Sequence, residues 1–500
     1  MKLGPKLLTL PALITLSLPL TLSVEAIELQ PALKSTLKAT VSTEPSPHRA
    51  TTTVASTADA LFAVERGGDS ENREARMATD LGGLRNALFP IKSEELQKFL
   101  LLGSIKFFVI LALVLTRDNK DAMVVTQCGA EAIAVLKIYG VLPAATLFIG
   151  IYSKMATVLS KKPLFYATAV PFFVFFFLFD AFVYPHRASI QPSLERVQSL
   201  LGIDGSASGL LSIFAKLVAN WTSALFYIVA EVYSSASIGI LFWTYANDVV
   251  TMSQAGRFYP LFSQMSGLAP IVAGQFVVHY ASRAKDFGES LHRITQLVTL
   301  SGVMICFFYW RSNLYIESVE SGPREVATAP TRPKKRKPKL TMIESARFLA
   351  SSEYLRLISA LVVGYGLSIN FTDIIFKSIV KKQYPDPLDY QRFMGNFSTA
   401  VGASTMIVIV LGVHLIRIMG WRAGALATPI AMAALAMPFF GSILAGLDSP
   451  QTLKIAVTFG TIQTLLSRTA KYALFDPTTQ VGGGDTRQCL SCLRHFASYY

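Results

Sequence analysis

Five hundred residues with 52% hydrophobic side chains, only 16% charged and a mean hydropathy of +0.44 exclude a disordered chain and argue against an ordinary cytosolic enzyme. Soluble domains carry about 25% charged residues, so this chain lacks the surface to stay in water and reads as a polytopic membrane protein. Lys and Arg outnumber Asp and Glu to leave a net charge of +14, a surplus that serves topology, anionic lipid or an anionic substrate without choosing among them. Four Cys exclude a disulfide scaffold.

Along the chain, residues 1–26 read as a signal peptide: a basic start with Lys2 and Lys6, an apolar run from Leu7 to Leu22, and a Val24-Glu25-Ala26 cleavage pattern. An uncleaved first membrane helix is the alternative, but Pro11 and Pro19 interrupt the run. Residues 27–95 are rich in Ser, Thr and Ala without an apolar period and read as a disordered leader. A signal peptide followed by such a leader has the form of a bipartite plastid presequence, against which the acidic Glu44, Asp59 and Glu65 count.

Apolar runs near 20 residues predict six spans in residues 96–311: Phe99–Thr116, Ile133–Ile151, Leu164–Tyr184, Trp221–Trp243, Leu261–Tyr280 and Ile294–Trp310. Residues 312–352 form a central loop whose run Lys334-Lys335-Arg336-Lys337 is too polar to cross a bilayer. Only this run favours placing the loop inside, because the short loops of the opposite face are at least as basic. Four further spans follow in residues 353–480: Tyr354–Asn370 continuing toward Lys377, Ser398–Ile416, Ala423–Leu447 and a weaker Ile455–Leu466. The expected architecture is all-α, a major-facilitator-like bundle of two helical halves. The second half is shorter than the first by about 65 residues, room for two helices, so about 10 of 12 helices are expected. Residues 481–500, with Gly482-Gly483-Gly484 and Cys489-x-x-Cys492, cannot span a membrane and read as an atypical tail produced by a disrupted ending.

Ionisable groups within spans are the informative positions, since each costs roughly 2.5–3.5 kcal/mol at a helix centre on insertion scales. Glu231 lies midway between the indoles Trp221 and Trp243, with Tyr227, Ser234, Ser235 and Ser237 nearby. It is either a transport residue or a structural carboxylate paired with a lysine of a neighbouring helix. At the expected end of the first span, Arg117-Asp118-Asn119-Lys120-Asp121 alternates charge. Lys106 and Arg117, 11 positions apart, are separated by about 1,100° of helical rotation and share a face. That face presents either a basic stripe to a polyphosphate or an ordinary charged helix end. Asp373 and Lys377 are spaced to pair within one helix. Lys471 sits beside Tyr472, before Asp476. No G-x-x-x-x-G-K-[ST] motif is present, and neither a metal site, a catalytic dyad nor a cofactor motif emerges, which weighs against a membrane enzyme. His186, His279, His292 and His414 are scattered. Pro385-Asp386-Pro387 reads as a loop feature, and Gly267, Pro270 and Gly274 as positions that let helices approach or bend.

The segments Leu115–Asp121, Gly129–Ile133 and Tyr139–Ala144, together with Tyr365–Asn370, Phe393–Thr399 and Lys471–Asp476, resemble the nucleotide transporters of plastids and intracellular bacteria, the ATP/ADP translocase family. The likeness covers about Phe99 to Gln480 and is nearest to diatom plastid members. The resemblance implies nucleotide counter-exchange by alternating access, with nucleotides and the bilayer as partners, no nucleic acid, and a place in the plastid inner envelope rather than another endomembrane or the plasma membrane. Proton-coupled import, or transport of another phosphorylated anion such as a sugar phosphate, is the alternative. By motif the resemblance assigns substrate binding to Lys120, Glu231, Asp373 and Lys471, with Lys106, Arg117 and Lys377 as supporting groups. Asp373 stands where relatives commonly have Glu, one methylene shorter, which bears on specificity. The expected cycle has Lys120 and Lys471 receiving phosphate in a cavity between the halves, and Glu231 and Asp373 holding those lysines in the empty state.

Overall fold

The computed structural model describes residues 91–202, 209–320 and 353–470, and those from Gln97 onward belong to one compact unit. The expected signal peptide and leader, the basic run of the central loop, Lys471 and the tail lie outside the described residues. Every regular element among the described residues is helical. The first half contains α1 (Leu96–Gln127), α2 (Ala132–Val158), α3 (Lys161–Val183), α4 (Trp221–Val249), α5 (Met252–His279) and α6 (Phe287–Glu320), six helices long and apolar enough to cross a membrane. The second half contains α7 (Glu353–Gln383), α8 (Pro387–Leu444) and α9 (Pro450–Ala470). The predicted spans fall on these helices. Short helices at Arg187–Ile190, Leu194–Leu200 and Leu210–Ala219 link α3 to α4, the last apolar but too short to span.

Two helices outrun their predicted spans for one reason: apolarity marks where lipid ends, whereas a helix continues while its polar side chains find protein partners. The predicted first span stops at Thr116, yet α1 continues to Gln127, and Asp118, Asn119, Lys120 and Asp121 are all buried inside it. The charged run is therefore the interior of a helix and not its cap. Likewise α6 passes Arg311, the expected start of the central loop, with Tyr245 donating to a buried Ser312 at 2.8 Å.

Burial sorts the spans. In its most apolar window α1 is 72% buried while α2 is 28% buried, so α1 runs through the interior and α2 lies at the edge. Leu147 and Val158 on α2, and Phe177 and Phe182 on α3, are exposed and offer lipid an apolar surface. Aromatic stacking fills the interior: Phe165 lies 3.6 Å from Tyr309 ring to ring, and Phe99 packs against Phe258 and Phe262.

The predicted spans Ser398–Ile416 and Ala423–Leu447 share one unbroken stretch of helical backbone, α8. Phe397 and Phe439 both pack against Phe376, although 42 residues of straight helix would separate them by about 63 Å. The stretch therefore doubles back between them, and the two predicted spans are its two arms. The N-terminus of α8 explains Pro385-Asp386-Pro387: the Asp386 carboxylate accepts from the backbone N–H of Leu388 and Asp389, and Pro387 occupies the first helical turn.

Between the halves, α5 meets α8 through glycines at a seven-residue spacing on each helix, Gly267 and Gly274 against Gly395 and Gly402. A Cβ on Gly402 would stand 2.6 Å from the Gly267 carbonyl oxygen, and one on Gly274 would collide with the Gly395 carbonyl and the Thr399 hydroxyl. The predicted close approach at Gly267 and Gly274 is thus made to the opposite half.

Candidate functional site

Six charges, three from each half, meet in one chain of ion pairs with alternating sign. Glu231 Oε2 on α4 lies 2.8 Å from Lys120 Nζ on α1, and Lys120 also pairs with Asp121 Oδ1 at 2.9 Å. The other Asp121 oxygen, Oδ2, takes Lys377 Nζ of α7 at 2.9 Å. Lys377 pairs in turn with Asp373 one turn earlier, and Asp373 Oδ1 accepts from Arg468 Nη2 of α9 at 2.8 Å. The order is Glu231, Lys120, Asp121, Lys377, Asp373, Arg468: three carboxylates and three cations, with the first three residues from one half and the last three from the other.

Local structure aims these groups. Lys120 and Asp121 are successive residues, so they leave α1 about 100° apart, and Lys120 turns toward α4 while Asp121 reaches α7. Tyr227, one turn before Glu231, places its ring 3.9 Å from Lys120 Nζ, so the ammonium is held by two carboxylates and an aromatic face. Arg468 lies 5.2 Å from the Phe397 ring. Lys137 sits in a π-helical segment, Leu136–Val141, whose wider turn departs from the α-helical register around it. From there its ammonium donates to Asn370 Oδ1 of α7 at 2.7 Å.

The middle of the chain is sealed. Lys120 and Asp121 are each 3% exposed and Lys377 4%, whereas the side chains of Glu231, Asp373 and Arg468 at the two ends are 17–20% exposed. Buried charges persist only when paired, and here each cation of the chain touches a carboxylate. Between Lys120 and Lys377 there is therefore no vacant place for an anion. A cavity of about 360 Å³ lined by Val135, Leu136, Tyr139, Phe214, Leu217 and Trp221 is apolar and does not suit an anion.

Beside the ionic chain lies a layer of hydrogen bonds from neutral donors, again linking the halves. Ser398 of α8 donates to Asp118, Gln391 Nε2 donates to Asn119 Oδ1 at 3.3 Å, and Ser290 of α6 donates to Gln391 Oε1 at 2.5 Å. Asn119 Nδ2 and the Tyr390 hydroxyl are buried and have no hydrogen-bond partner among the described residues.

The family model described as the TLC ATP/ADP transporter matches residues 74–482. The chain belongs to that family. Among similar proteins, ADP,ATP carrier protein 1 of Chlamydia trachomatis is 36% identical over 420 residues, which cover 80% of this chain and 78% of the relative. ADP,ATP carrier protein 2, chloroplastic, of Arabidopsis thaliana is 36% identical over 409 residues, 78% of this chain and 64% of the relative. ADP,ATP carrier protein 4 of Rickettsia bellii is 32% identical over 414 residues, 79% of this chain and 78% of the relative.

In this TLC-family chain the structure brings together four of the residues that the resemblance singles out, Lys120, Glu231, Asp373 and Lys377. The expected pairings are present for Lys120 with Glu231 and for Asp373 with Lys377; the expected partnership of Asp373 with Lys471 lies outside the described residues. The basic stripe was one of two readings of the Lys106–Arg117 face, and in the structure the two cations meet different partners. Lys106 is buried with its ammonium 4.7 Å from the Trp243 ring and 5.0 Å from that of Phe242, about 21 Å along α1 from Lys120, while Arg117 pairs with Asp118 at 3.4 Å. A shared helix face sets direction but not the partner met at each level. Asp121, Arg468, Lys137 and Asn370 escaped the sequence reading. Asp121 closes the alternating charged run Arg117–Asp121, in which no role was assigned to it. Arg468 falls at the end of a span too weak to rank its charge as stranded.

Proposed function

We propose that this chain exchanges nucleotides, ATP against ADP, across the plastid envelope by alternating access between its two halves, with no covalent intermediate. The observation that carries this reading is the buried ionic chain between the halves, in a family whose relatives are named as ADP,ATP carriers, including chloroplastic ones. A polyphosphate carries several negative charges that lipid does not tolerate, so a carrier meets them with fixed cations at depth and releases them on the other side. In this reading Lys120, and Lys471 beyond the described residues, receive phosphate, Lys377 supports them, and Glu231 and Asp373 hold the cations in the empty state.

The test is uptake of labelled ATP by the purified chain in liposomes with and without internal ADP, competed by ATP, CTP and a hexose phosphate. Nucleotide exchange predicts uptake that needs internal ADP and resists the hexose phosphate. Uptake into ADP-free vesicles driven by an imposed proton gradient would transfer the assignment to proton-coupled import. Competition by hexose phosphate at least equal to that by ATP would transfer it to another class of phosphorylated anion.

A further inference from the structure

In the ionic chain, one ion pair crosses from half to half: Asp121 of α1 with Lys377 of α7. Its carboxylate spends one oxygen on each of two lysines, Lys120 and Lys377, which is the bridging geometry of a phosphoryl group between two cations. We infer that Asp121 is an internal stand-in for substrate phosphate, a latch that joins the halves when the site is empty and that an incoming phosphoryl group displaces. The inference rests on the nucleotide-exchange reading and adds a residue and a cause for exchange to it.

Three observations converge. The three residues around the crossing point are the most buried of the ionic chain, so phosphate reaches either lysine only if Asp121 gives way. The latched arrangement also leaves two buried donors without an acceptor among the described residues: Asn119 Nδ2, two residues before Asp121, and the Tyr390 hydroxyl. A buried donor without an acceptor is unfavourable, and phosphate oxygens entering here supply acceptors that the closed arrangement lacks. Finally, the other links between the halves described at this depth are hydrogen bonds with at least one neutral partner, Ser398 to Asp118, Gln391 to Asn119 and the Lys137 ammonium to Asn370, which leaves Asp121–Lys377 as the ion pair a polyanion competes for directly.

The consequence is a reason for obligatory exchange. With nucleotide bound, Lys377 is held by phosphate and the halves are free to rock; with the site empty, Asp121 recaptures Lys377 and the carrier stays as it is. A ligand moves such an equilibrium only through its unequal affinity for the two states, and competition for Lys120 and Lys377 supplies that inequality.

The deciding experiment uses the full chain in liposomes and the isosteric variant Asp121→Asn. Labelled ATP uptake is measured into ADP-loaded and into ADP-free vesicles, and ATP affinity is measured separately by ligand-dependent thermal unfolding in detergent. Wild type is expected to show a large loaded-to-empty ratio. The variant, with its latch weakened and two lysines released, is expected to lower that ratio at least fivefold and to bind ATP severalfold more tightly. An unchanged ratio overturns the latch; if the variant does not transport, unchanged or weaker ATP binding overturns it. Should Asp121→Asn not accumulate, Lys377→Gln parts the same pair from the other side, and its loaded-to-empty ratio decides in the same sense. A wild-type chain that takes up no nucleotide defeats the underlying reading instead, so the two failures are distinguishable.

Discussion

Lys120 illustrates how much a buried cation depends on its company. Its ammonium contacts Glu231, Asp121 and the Tyr227 ring, and removing it strands carboxylate charge in the interior. Breaking such a pair destabilises by about 3–5 kcal/mol, whereas removing both partners together is often nearly neutral. Lys120→Met is therefore expected to lower the unfolding midpoint, and Lys120→Met with Glu231→Gln to recover much of that loss, both read by thermal unfolding in detergent. Nucleotide uptake should stay absent in the double variant; recovered uptake would show that Lys120 does not receive phosphate. Lys106 shows the other solution to burying a cation, an aromatic cage of Phe242 and Trp243. Sequence pattern distinguished neither fate: Lys106 read as sharing a helix face with Arg117, and Lys120 as one charge of an alternating run.

At the scale of the element, glycine spacing sets how closely α5 and α8 approach. Gly274 faces the Gly395 carbonyl and Thr399, so any side chain there drives the two halves apart along their shared seam. Gly274→Leu is expected to destabilise the protein by at least about 1–3 kcal/mol, as overpacking does, and to reduce exchange. Gly150→Ala on α2, where a Cβ meets nothing, should leave both unchanged. Thermal unfolding and uptake of the two variants side by side check the contrast. Loss of exchange in Gly274→Leu with no change in stability would mean that the seam governs movement and not packing. The predicted spans located these helices well, because about 20 apolar residues are a physical requirement of the bilayer. Their ends were less legible: α1 carries its charged run on into the protein, and polar residues that end a lipid-facing stretch need not end a helix.

For the whole molecule, the ionic chain makes the two halves one electrostatic unit when empty, so nucleotide binding has to be visible as a change in global stability. ATP at a hundred times its dissociation constant should stabilise the folded state by about 2.7 kcal/mol, raising the unfolding midpoint. Adenosine, which brings no phosphate to compete for Lys120 and Lys377, should raise it far less at equal concentration. Equal shifts from the two ligands would place the recognition energy on the base and not on the ionic chain. Added salt should lower apparent ATP affinity while the site is open to solvent, since screening acts on exposed charges far more than on buried ones.

Composition and periodicity determined that this is a membrane protein of two helical halves, because apolar length answers to lipid thickness whatever surrounds it. They also marked Glu231, because a charge in an apolar run is unfavourable unless something receives it, whereas Lys120 and Asp373 were singled out by the family resemblance. Which charge meets which was decided by the tertiary structure alone. Ion pairing falls off over a few ångströms and depends on burial, and the partners Asp121 and Lys377 lie 256 positions apart on different helices. No local pattern encodes that meeting; the packing of α1 against α7 creates it.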